Sequence, residues 1–439
     1  MKVLKFGGTS VGSAQRMKDV AKLITDGEQK IVVLSAMSGT TNTLVEISDY
    51  LYKKNPEGAN EVINKLEAKY KQHIEELYST EEYKQKTLEF VKSVFDYIRS
   101  YTKDIFTLFE EKVILAQGEI ISTNMVTNYL CEQGVKATLI PALEFMRTDK
   151  NSEPDLTYIR EKLAIQLEAN PDYEIYITQG FICRNAYGEI DNLQRGGSDY
   201  TASLIGAAVN ASEIQIWTDI DGMHDNDPRI VDKTSPVRQL HFEEAAELAY
   251  FGAKILHPTW VQPAKYANIP VRLLNTMEPT APGTLISNET EKGKIKAVAA
   301  KDNITAIKIK SSRMLLAHGF LRKVFEIFES YQTAIDMVCT SEVGVSMSID
   351  NTKHLNEIVD DLKKYGTVTV DHDMCIVCVV GDLEWENVGF EAKALDAMRD
   401  IPVRMISFGG SNYNISFLIR EADKKKALQS LSDALFNNK

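Results

Sequence analysis

The segment LQRGGSDYTA, residues 193–202, places an arginine, two glycines, a serine and an aspartate directly before an apolar run. Ser198 is a good helix N-cap, and Asp199 in the first turn favours a helix through YTASLIGAAVN. The glycines let the backbone approach a ligand, and helix N-termini attract anions. Arg195 could bind a carboxylate through two parallel hydrogen bonds. The pattern indicates either an anion site or an ordinary loop-to-helix junction with a surface arginine.

A second candidate for chemistry is the glycine loop KFGGTS near the N-terminus. Lys5 ends a strand-like run, Gly7 and Gly8 follow it, and Ser10 adds a hydroxyl. Glycine N–H groups and one positive charge at the carboxyl end of a strand can hold a phosphate. The loop matches neither the GxGxxG fingerprint nor the GxxxxGK[ST] P-loop. A plain strand-to-helix turn is therefore the alternative interpretation.

Two segments have the composition of metal sites without the spacing. WTDIDGMHDNDPR, residues 217–229, carries four aspartates but lacks the D-x-[DN]-x-[DN]-G order of an EF-hand. Cys375 and Cys378 form a CxxC inside the strand-like MCIVCVVG, and residues three apart in a strand point to opposite faces. We predict an acidic turn-rich loop, buried strand cysteines and no metal site built by side chains alone.

The composition bounds the class of protein. With 439 residues, 44% hydrophobic and 26% charged, the chain is typical of a globular protein of about three domains at roughly 150 residues each. A net charge of −12 argues against general nucleic-acid binding. No apolar run approaches the roughly 18 residues that span a membrane, and MKVLKFGG lacks the apolar segment of a signal peptide. We expect a cytoplasmic protein with neither nucleic acid nor membrane as partner.

Alternating elements must position these residues. The first 35 residues read as strand, helix and strand, the βαβ unit of parallel sheets. Residues 44–112 have apolar positions at three- and four-residue steps, which predicts amphipathic helices. Strands and helices then alternate as far as MEPTAPGTLISNETEKGK, which reads as a hairpin and linker. We expect a domain boundary near residues 290–300.

Beyond that boundary lies a weak internal repeat. Gly319-Phe320 aligns with Gly389-Phe390, 70 residues further on, and Met337 aligns with Met405 across 68 residues. Each copy reads helix, strand, turn, strand, and another strand precedes it. This order predicts two small α+β units of the βαββαβ type, unless the similarity arose by chance.

Six motifs occur along the chain in this order: KFGGTS, GE at 118–119, QGF at 179–181, QRGGSDYTA, WTDIDGMHDNDPR and FGAKILHP. Together they resemble the aspartokinases, which belong to the amino acid kinase family and bear a tandem ACT regulatory region. The resemblance covers essentially the whole chain, and the two C-terminal repeats look like the ACT units. No length remains for a fused homoserine dehydrogenase, so we expect the monofunctional form.

The resemblance implies an α/β fold with three domains. A three-layer αβα kinase domain with a mainly parallel sheet is expected over residues 1–295, including the helical segment 44–112. Two ACT-like α+β units are expected over 300–366 and 367–439, and strands could be exchanged between them.

The resemblance also implies a reaction, in which ATP and L-aspartate give ADP and 4-phospho-L-aspartate. This reaction opens the pathway to lysine, threonine and methionine. The nucleophile is a carboxylate with a reference pKa of about 3.9, so it is already ionised at pH 7 and needs no general base. Catalysis then consists of positioning and of neutralising charge on the phosphoryl group. Mg²⁺ is expected to arrive with ATP, held mainly by the phosphates.

The residue roles are carried over from the family motif by motif. Lys5 and Asp199 are the expected catalytic residues, and Arg195 and Glu119 are expected to bind the α-carboxylate and the ammonium of aspartate. The expected substrate-binding set is Thr41, Glu119, Arg195, Gly196, Gly197 and Ser198. The expected nucleotide-binding set is Lys5, Gly7, Gly8, Ser10, Thr218, Asp219, His224, Arg229 and Lys254. His224 stands where relatives commonly place a tyrosine.

The first repeat matches the effector pocket of lysine-sensitive relatives. The matching residues are Met314, Phe320, Leu321, Ala334, Ile335, Asp336, Thr340, Ser341, Glu342 and Val343. Asp336 and Glu342 suit a ligand with an ammonium group, so L-lysine is the expected effector, although Leu316 replaces a histidine found in some relatives. Edge-to-edge pairing of ACT-like units would cover exposed strands and predicts a homodimer through residues 300–439.

The sequence is compatible with two other functions. One is a sibling kinase acting on another acid, such as acetylglutamate or glutamate, which the paired ACT units and the QRGGSDYTA loop disfavour. The other is a non-catalytic amino-acid sensor on a kinase fold, which the presence of Lys5, Arg195, Asp199 and Lys254 disfavours.

Overall fold

The computed structural model describes residues 1–103, 105–193, 196–252, 258–311 and 318–436. Arg195, Lys254 and Met314, three of the expected site residues, lie outside the described residues, as does Leu316. The chain forms two compact units. The first consists of Met1–Met223 with Thr259–Asn288, and the second of His224–Pro258 with Glu289–Lys439.

The elements follow one another in chain order. Residues 1–218 form β1 Lys2–Phe6, α1 Ala14–Ile24, β2 Lys30–Leu34, α2 Thr40–Tyr52, α3 Pro56–Leu77, α4 Glu81–Ser100, α5 Leu108–Glu132, β3 Ala137–Leu139, α6 Leu156–Glu168, β4 Ile175–Gln179, β5 Ile182–Arg184, β6 Ile190–Asn192, α7 Gly197–Val209 and β7 Ile214–Thr218. Residues 219–288 form β8 Met223–His224, β9 Pro236–Val237, β10 Gln239–His241, α8 Phe242–Tyr250, α9 Pro258–Tyr266, β11 Val271–Asn275 and β12 Thr284–Ser287. The C-terminal part forms β13 Ile295–Lys310, α10 Phe320–Ser330, β14 Met337–Ser341, β15 Gly344–Ile349, α11 Leu355–Lys363, β16 Thr367–Gly381, α12 Phe390–Ala397, β17 Val403–Ser407, β18 Asn414–Arg420 and α13 Lys424–Leu435.

The first unit is built on a mainly parallel sheet, as predicted. Its strands are neighbours in the order β12, β11, β7, β1, β2, β4 and β3. β1 runs parallel to both β2 and β7, and β2 runs parallel to β4, whereas β12 returns antiparallel to β11. Every residue of β2 is buried, which is typical of parallel strands covered on both faces. The βαβ unit predicted for the first 35 residues and the hairpin that ends in β12 are both present.

The segment predicted to be helical, residues 44–112, contains most of α2, all of α3 and α4 and the start of α5. Their apolar faces share one core with the sheet, in which Tyr70, Ile74 and Phe95 are fully buried. Among the helices that the structure describes, none combines the length and the apolar character needed to cross a membrane.

The predicted N-cap of α7 was wrong by two residues. Gly196 caps the helix with a left-handed φ of 77°, and Ser198 lies in the first turn with Asp199. A Cβ on Gly197 would lie 2.6 Å from Cδ2 of Phe181, so the chain requires glycine where the helix begins. The left-handed backbone at position 196, which glycine adopts without strain, outweighs the usual preference for serine as the cap.

The second unit carries a sheet with the strand order β14, β15, β13, β16, β18, β17. β13 and β16 are long antiparallel strands with register shifts between Lys301 and Ile304. Residues 305–310 of β13 pair with β15 in the first repeat, whereas residues 295–301 pair with the end of β16 beside β18. Each long strand, β13 and β16, therefore forms part of the sheet in both repeats. The expected limits of 300–366 and 367–439 stay a prediction.

The repeat predicted from the sequence has the same local structure in both copies. Gly319 and Gly389 are left-handed N-caps with φ of 83° and 90°, and each precedes a buried phenylalanine that opens a helix. Cys375 and Cys378 are buried, unbridged cysteines within β16, as predicted.

Candidate active site

A cavity of about 650 Å³ opens in the first unit. It lies at the carboxyl ends of β1, β2 and β4, the edge of a parallel sheet where ligands bind. The lining residues that sequence analysis expected in the site are Gly8, Thr41, Glu119, Gly196, Gly197 and Ser198. The lining residues to which it gave no role are Ser35, Ala36, Met37, Ser38, Gly39, Asn42 and Phe181.

The two expected catalytic residues form an ion pair beside the glycine loop. Nζ of Lys5 lies 2.6 Å from Oδ1 of Asp199, and both side chains are largely buried. A Cβ on Gly7 would lie 3.6 Å from Nζ of Lys5, and one on Gly8 would lie 2.8 Å from the carbonyl oxygen of Ala36. The backbone of this loop therefore lies against the lysine at Gly7 and packs closely on the loop after β2 at Gly8.

Glu119 reaches the cavity because α5 approaches the loop after β2 unusually closely. A Cβ on Gly118 would lie 2.8 Å from Cβ of Ala36, and Ser122 Oγ donates a 2.8 Å hydrogen bond to the carbonyl of Ser35. The Ala36 N–H donates to Oε1 of Glu119 at 3.2 Å.

The second carboxylate oxygen of Glu119 has no described partner. Oε2 is buried and accepts no hydrogen bond from the part of the chain that the structure describes. Burial raises the pKa of Glu119 to about 8. An ionised carboxylate is costly in such a place unless a cation joins it. The cavity therefore has a position that suits a ligand ammonium.

Another part of the cavity wall is the N-terminus of α7. Gly196, Gly197 and Ser198 all line the cavity, and no described side chain caps the helix. The first N–H groups of a helix carry a partial positive charge and bind anions. Arg195 precedes this turn in the sequence, outside the described residues.

Phe181 is a residue of this wall that sequence reasoning missed. Its φ is 69°, a left-handed value that is rare outside glycine. The Phe181 N–H donates to Oγ1 of Thr201 at 3.0 Å, and its carbonyl accepts from Leu193 N–H at 2.7 Å. These bonds hold the strained residue against Gly197. The QGF motif marked the position, but no local signal reported its backbone conformation.

Two of the expected nucleotide-binding residues, Ser10 and Thr218, are joined by Thr276, a residue that the motifs did not include. Ser10 and Thr276 share a buried hydroxyl–hydroxyl hydrogen bond of 2.7 Å, and Thr276 N–H donates to the carbonyl of Thr218 at 2.8 Å. Thr218 ends β7, next to β1, and the exposed Asp219 follows it. Thr276 therefore joins the glycine loop to the end of β7.

The other described members of that set, His224 and Arg229, belong to the second unit. Nδ1 of His224 lies 2.9 Å from Oγ1 of Thr234. Arg229 is exposed and donates two hydrogen bonds, of 2.9 and 2.6 Å, to the carboxylate of Asp227. Both side chains therefore have a partner close by in sequence.

The expected effector residues do not all surround one point. Phe320 is buried at the start of α10 and Leu321 beside it is partly exposed, whereas Ile335 packs against the core of the first repeat. The exposed members around β14 are Ala334, Thr340, Ser341, Glu342 and Val343. Asp336 and Glu342 flank opposite ends of β14, roughly 20 Å apart at about 3.3 Å per residue. The two carboxylates of one chain therefore do not meet at one ammonium.

Asp336 already has a cation from the protein. Its Oδ1 accepts 2.8 Å hydrogen bonds from Nζ of Lys301 and from the hydroxyl of Tyr250. The Asp336 side chain is 1% exposed, and Nζ of Lys301 also lies 3.0 Å from Asp350 and 4.4 Å from the centre of the Tyr250 ring. An effector ammonium at Asp336 would compete with Lys301.

The comparisons with known proteins identify the family. Residues 1–275 match the amino acid kinase family, and residues 377–435 match the ACT domain. The chain is 35% identical to aspartokinase 1 of the Arabidopsis thaliana chloroplast, over 99% of this chain and 80% of that protein. It is 32% identical to the lysine-sensitive aspartokinase 3 of Escherichia coli, over 99% of each.

A solved structure is similar over the same extent. The crystal structure of Escherichia coli aspartokinase III in complex with aspartate and ADP superposes with a TM-score of 0.83 at 31% identity, over 99% of this chain and 100% of that one. One assignment follows from the matches to family models, from the full-length relatives and from this superposition. The chain belongs to the aspartokinases, members of the amino acid kinase family that carry ACT regulatory domains.

Proposed function

We propose that this chain transfers the γ-phosphoryl group of ATP to the side-chain carboxylate of L-aspartate, giving ADP and 4-phospho-L-aspartate. This is the first step toward lysine, threonine and methionine. The observation that carries the proposal is the cavity, which offers the partnerless carboxylate oxygen of Glu119 and the positive end of α7 to one small ligand. An amino acid presents an ammonium and carboxylates, the charges that these two groups bind.

Lys5 is the group that neutralises charge during transfer. The nucleophilic carboxylate is ionised at pH 7, so the chain needs no base and acts by positioning and electrostatics. The ion pair with Asp199 orients Nζ of Lys5 beside Gly7, where phosphate oxygens would meet the backbone N–H groups of the loop. Asp199 in this role is a positioning residue that keeps the lysine from turning into solvent.

The aspartate substrate is held by opposite charges. Its ammonium is bound by Glu119, and its α-carboxylate by Arg195 together with the N–H groups at Gly197 and Ser198. Thr41 adds a hydroxyl at the start of α2. The support from the described residues is the burial of Glu119 and the bare helix N-terminus.

Nucleotide and metal enter together. The nucleotide is proposed to contact Gly7, Gly8 and Thr218, with Asp219, His224, Arg229 and Lys254 as further contacts. In the described ranges, no group of three or more His, Cys, Asp or Glu side chains could hold a metal ion. Mg²⁺ is therefore proposed to be bound by the phosphates of ATP.

Regulation is proposed to act through the ACT region, with L-lysine as the effector and a homodimer as the working form. Support comes from the lysine sensitivity of the Escherichia coli relative and from the acidic residues of the first repeat. The homodimer is proposed from the family resemblance, because β14 and β17, the outermost strands in the sheet order, already contact each other within one chain: Sγ of Cys339 lies 3.1 Å from the carbonyl oxygen of Ile406.

The experiment that tests the function is a coupled assay of ADP release by the full chain with Mg-ATP. We expect release on addition of L-aspartate and none with L-glutamate or N-acetylglutamate. Inhibition is then measured with L-lysine and with L-threonine. Release with L-glutamate alone would identify a sibling kinase, and binding of amino acids without ADP release would identify a sensor.

A further inference from the structure

The helical segment 44–112 contributes a side chain to the back of the cavity. Tyr70, on α3, is 1% exposed, and its hydroxyl lies 2.9 Å from Oγ1 of Thr40. Thr40 is the first residue of α2 and is itself buried, while its neighbours Gly39 and Thr41 line the cavity. A buried pair of hydroxyl groups therefore lies directly behind the wall that faces the ligand.

Backbone hydrogen bonds hold this part of the wall, from Thr40 N–H to the carbonyl of Met37 at 2.9 Å and from Ser38 N–H to that of Gly8 at 3.1 Å, and α3 adds side-chain contacts. Gly39 caps α2 with a left-handed φ of 82°, and no described side chain caps that helix. Lys69, next to Tyr70 on α3, donates to the carbonyl of Ser38 at 3.3 Å. Two successive residues of α3 thus hold the loop after β2 and the start of α2.

The same contact reaches the helix that carries Glu119. A Cβ on Gly118 would lie 3.3 Å from Cγ2 of Thr40, so Thr40 fills the space beside the residue before Glu119. The Tyr70 ring packs on Phe95, with 5.9 Å between the ring centres. Burial raises the pKa of Tyr70, as does the nearby Glu119 carboxylate to a smaller extent, so its hydroxyl stays protonated.

We propose that Tyr70 is a positioning residue of the aspartate site. Its hydroxyl fixes the rotamer and backbone of Thr40, which sets Thr41 against the ligand and holds the start of α2 against Gly118. The inference rests on the proposed function, because it assigns Tyr70 to the aspartate part of that site. Tyr70 does not contact the substrate, so its removal acts on aspartate binding and leaves ATP binding unchanged.

The test is Tyr70→Phe, which removes the hydroxyl and keeps the packing of the ring. We expect the KM for L-aspartate to rise about tenfold, the size of one lost hydrogen bond, with the KM for ATP unchanged. Thr40→Val removes the other hydroxyl at equal volume and should raise the same KM. The double variant should add little to either, because both changes remove one interaction.

Tyr78→Phe is the matched control. Tyr78 is 5% exposed, and its hydroxyl donates to the carbonyl of Met125 at 2.7 Å. The variant therefore loses an equally buried hydrogen bond that lies away from the cavity. We expect it to lower Tm as much as Tyr70→Phe does and to leave the KM for L-aspartate unchanged. A KM rise in Tyr78→Phe, or fully additive effects at Tyr70 and Thr40, would overturn the inference.

The two proposals fail in different ways. If the unaltered chain releases no ADP with L-aspartate, the proposed function is wrong and this inference is wrong with it. If the unaltered chain does release ADP and Tyr70→Phe has the same KM for L-aspartate, only the role of Tyr70 is wrong.

Discussion

Lys301 and Asp336 form a 2.8 Å ion pair in the first repeat, and the equivalent positions of the second repeat form one with the charges exchanged. Asp371 follows Lys301 by 70 residues, Arg404 follows Asp336 by 68, and Nε of Arg404 lies 2.8 Å from Oδ2 of Asp371. Lys301 and Asp371 lie on the long strands β13 and β16. Their partners lie directly before β14 and within β17, the strands that follow α10 and α12. The two repeats therefore share this contact, but the acidic and the basic residue have exchanged positions.

The two pairs are expected to differ in what they contribute to stability. Lys301 and Asp336 are 18% and 1% exposed, whereas Arg404 and Asp371 are 28% and 45% exposed. Lys301→Met leaves a buried carboxylate without its cation and should lower the free energy of unfolding by about 3 kcal/mol. Arg404→Met breaks a partly solvated pair and should cost about 1 kcal/mol or less.

Urea unfolding followed by far-UV circular dichroism would measure both variants against the unaltered chain. Equal costs at the two positions would show that burial does not decide the strength of these pairs.

Lys5→Ala is expected to reduce kcat by about a hundredfold or more, with a smaller change in the KM for L-aspartate. The reason is that the lysine charge matters most where charge builds up on the transferring phosphoryl group. Steady-state kinetics with each substrate varied in turn would measure this. Lys2→Ala is a suitable control, because Lys2 lies on the same strand and pairs with the exposed Glu28. A KM effect without a loss of kcat would remove Lys5 from the transfer step.

Part of the active site was predictable because its motifs are short and lie next to predicted elements. The glycine loop and the QRGGSDYTA turn each adjoin the end of one predicted element, and parallel strands bring such ends to one edge. The GE pair lies inside α5, and its role was predicted from the family resemblance. The places of Gly8 and Ser198 in the cavity wall follow from that topology. The repeat was also readable, because its glycine–phenylalanine helix starts have the same local cause in both copies.

The features of the site that the sequence did not predict depend on contacts between residues distant in sequence. Thr276 meets Ser10 across 266 residues, and no local pattern connects them. The N-cap of α7 was missed because the left-handed backbone at Gly196 depends on how the turn packs and not on the usual preference for serine as a cap. Likewise, the sequence around Asp336 suggested a carboxylate free to bind an ammonium group. Its bonds to Lys301 and Tyr250 come from residues distant in sequence and could not be predicted.

The pH dependence of aspartate binding is expected to follow Glu119. Its pKa is raised to about 8 by burial, so the free enzyme holds a neutral acid at pH 7 and an ionised carboxylate above pH 8. Because the ammonium of L-aspartate needs the ionised form, the KM for L-aspartate should fall as pH rises from 6 to 8, by up to tenfold per unit, and then level off.

The same shift affects stability in the absence of substrate. A carboxyl whose pKa is raised from 4.5 in the unfolded chain to about 8 in the folded one binds more protons when folded. The free energy of unfolding therefore falls as pH rises between those values. Glu119→Gln should abolish both dependences and raise the KM for L-aspartate at every pH. A KM that varies equally with pH in Glu119→Gln would assign the titration to another group.

Feedback inhibition is expected to separate Glu342 from Asp336. Glu342 is exposed in the turn between β14 and β15, so Glu342→Ala should weaken inhibition by L-lysine about tenfold without changing Tm. Asp336→Asn removes the buried partner of Lys301 and Tyr250, so it should lower Tm as well as alter inhibition.

Tyr331→Phe is the control, since it removes a tyrosine–aspartate bond of 2.9 Å elsewhere in the same repeat. Inhibition curves for L-lysine and L-threonine on each variant would decide the matter. Inhibition by L-threonine alone, or L-lysine inhibition unaffected by changes at both acids, would exclude these carboxylates as the effector site.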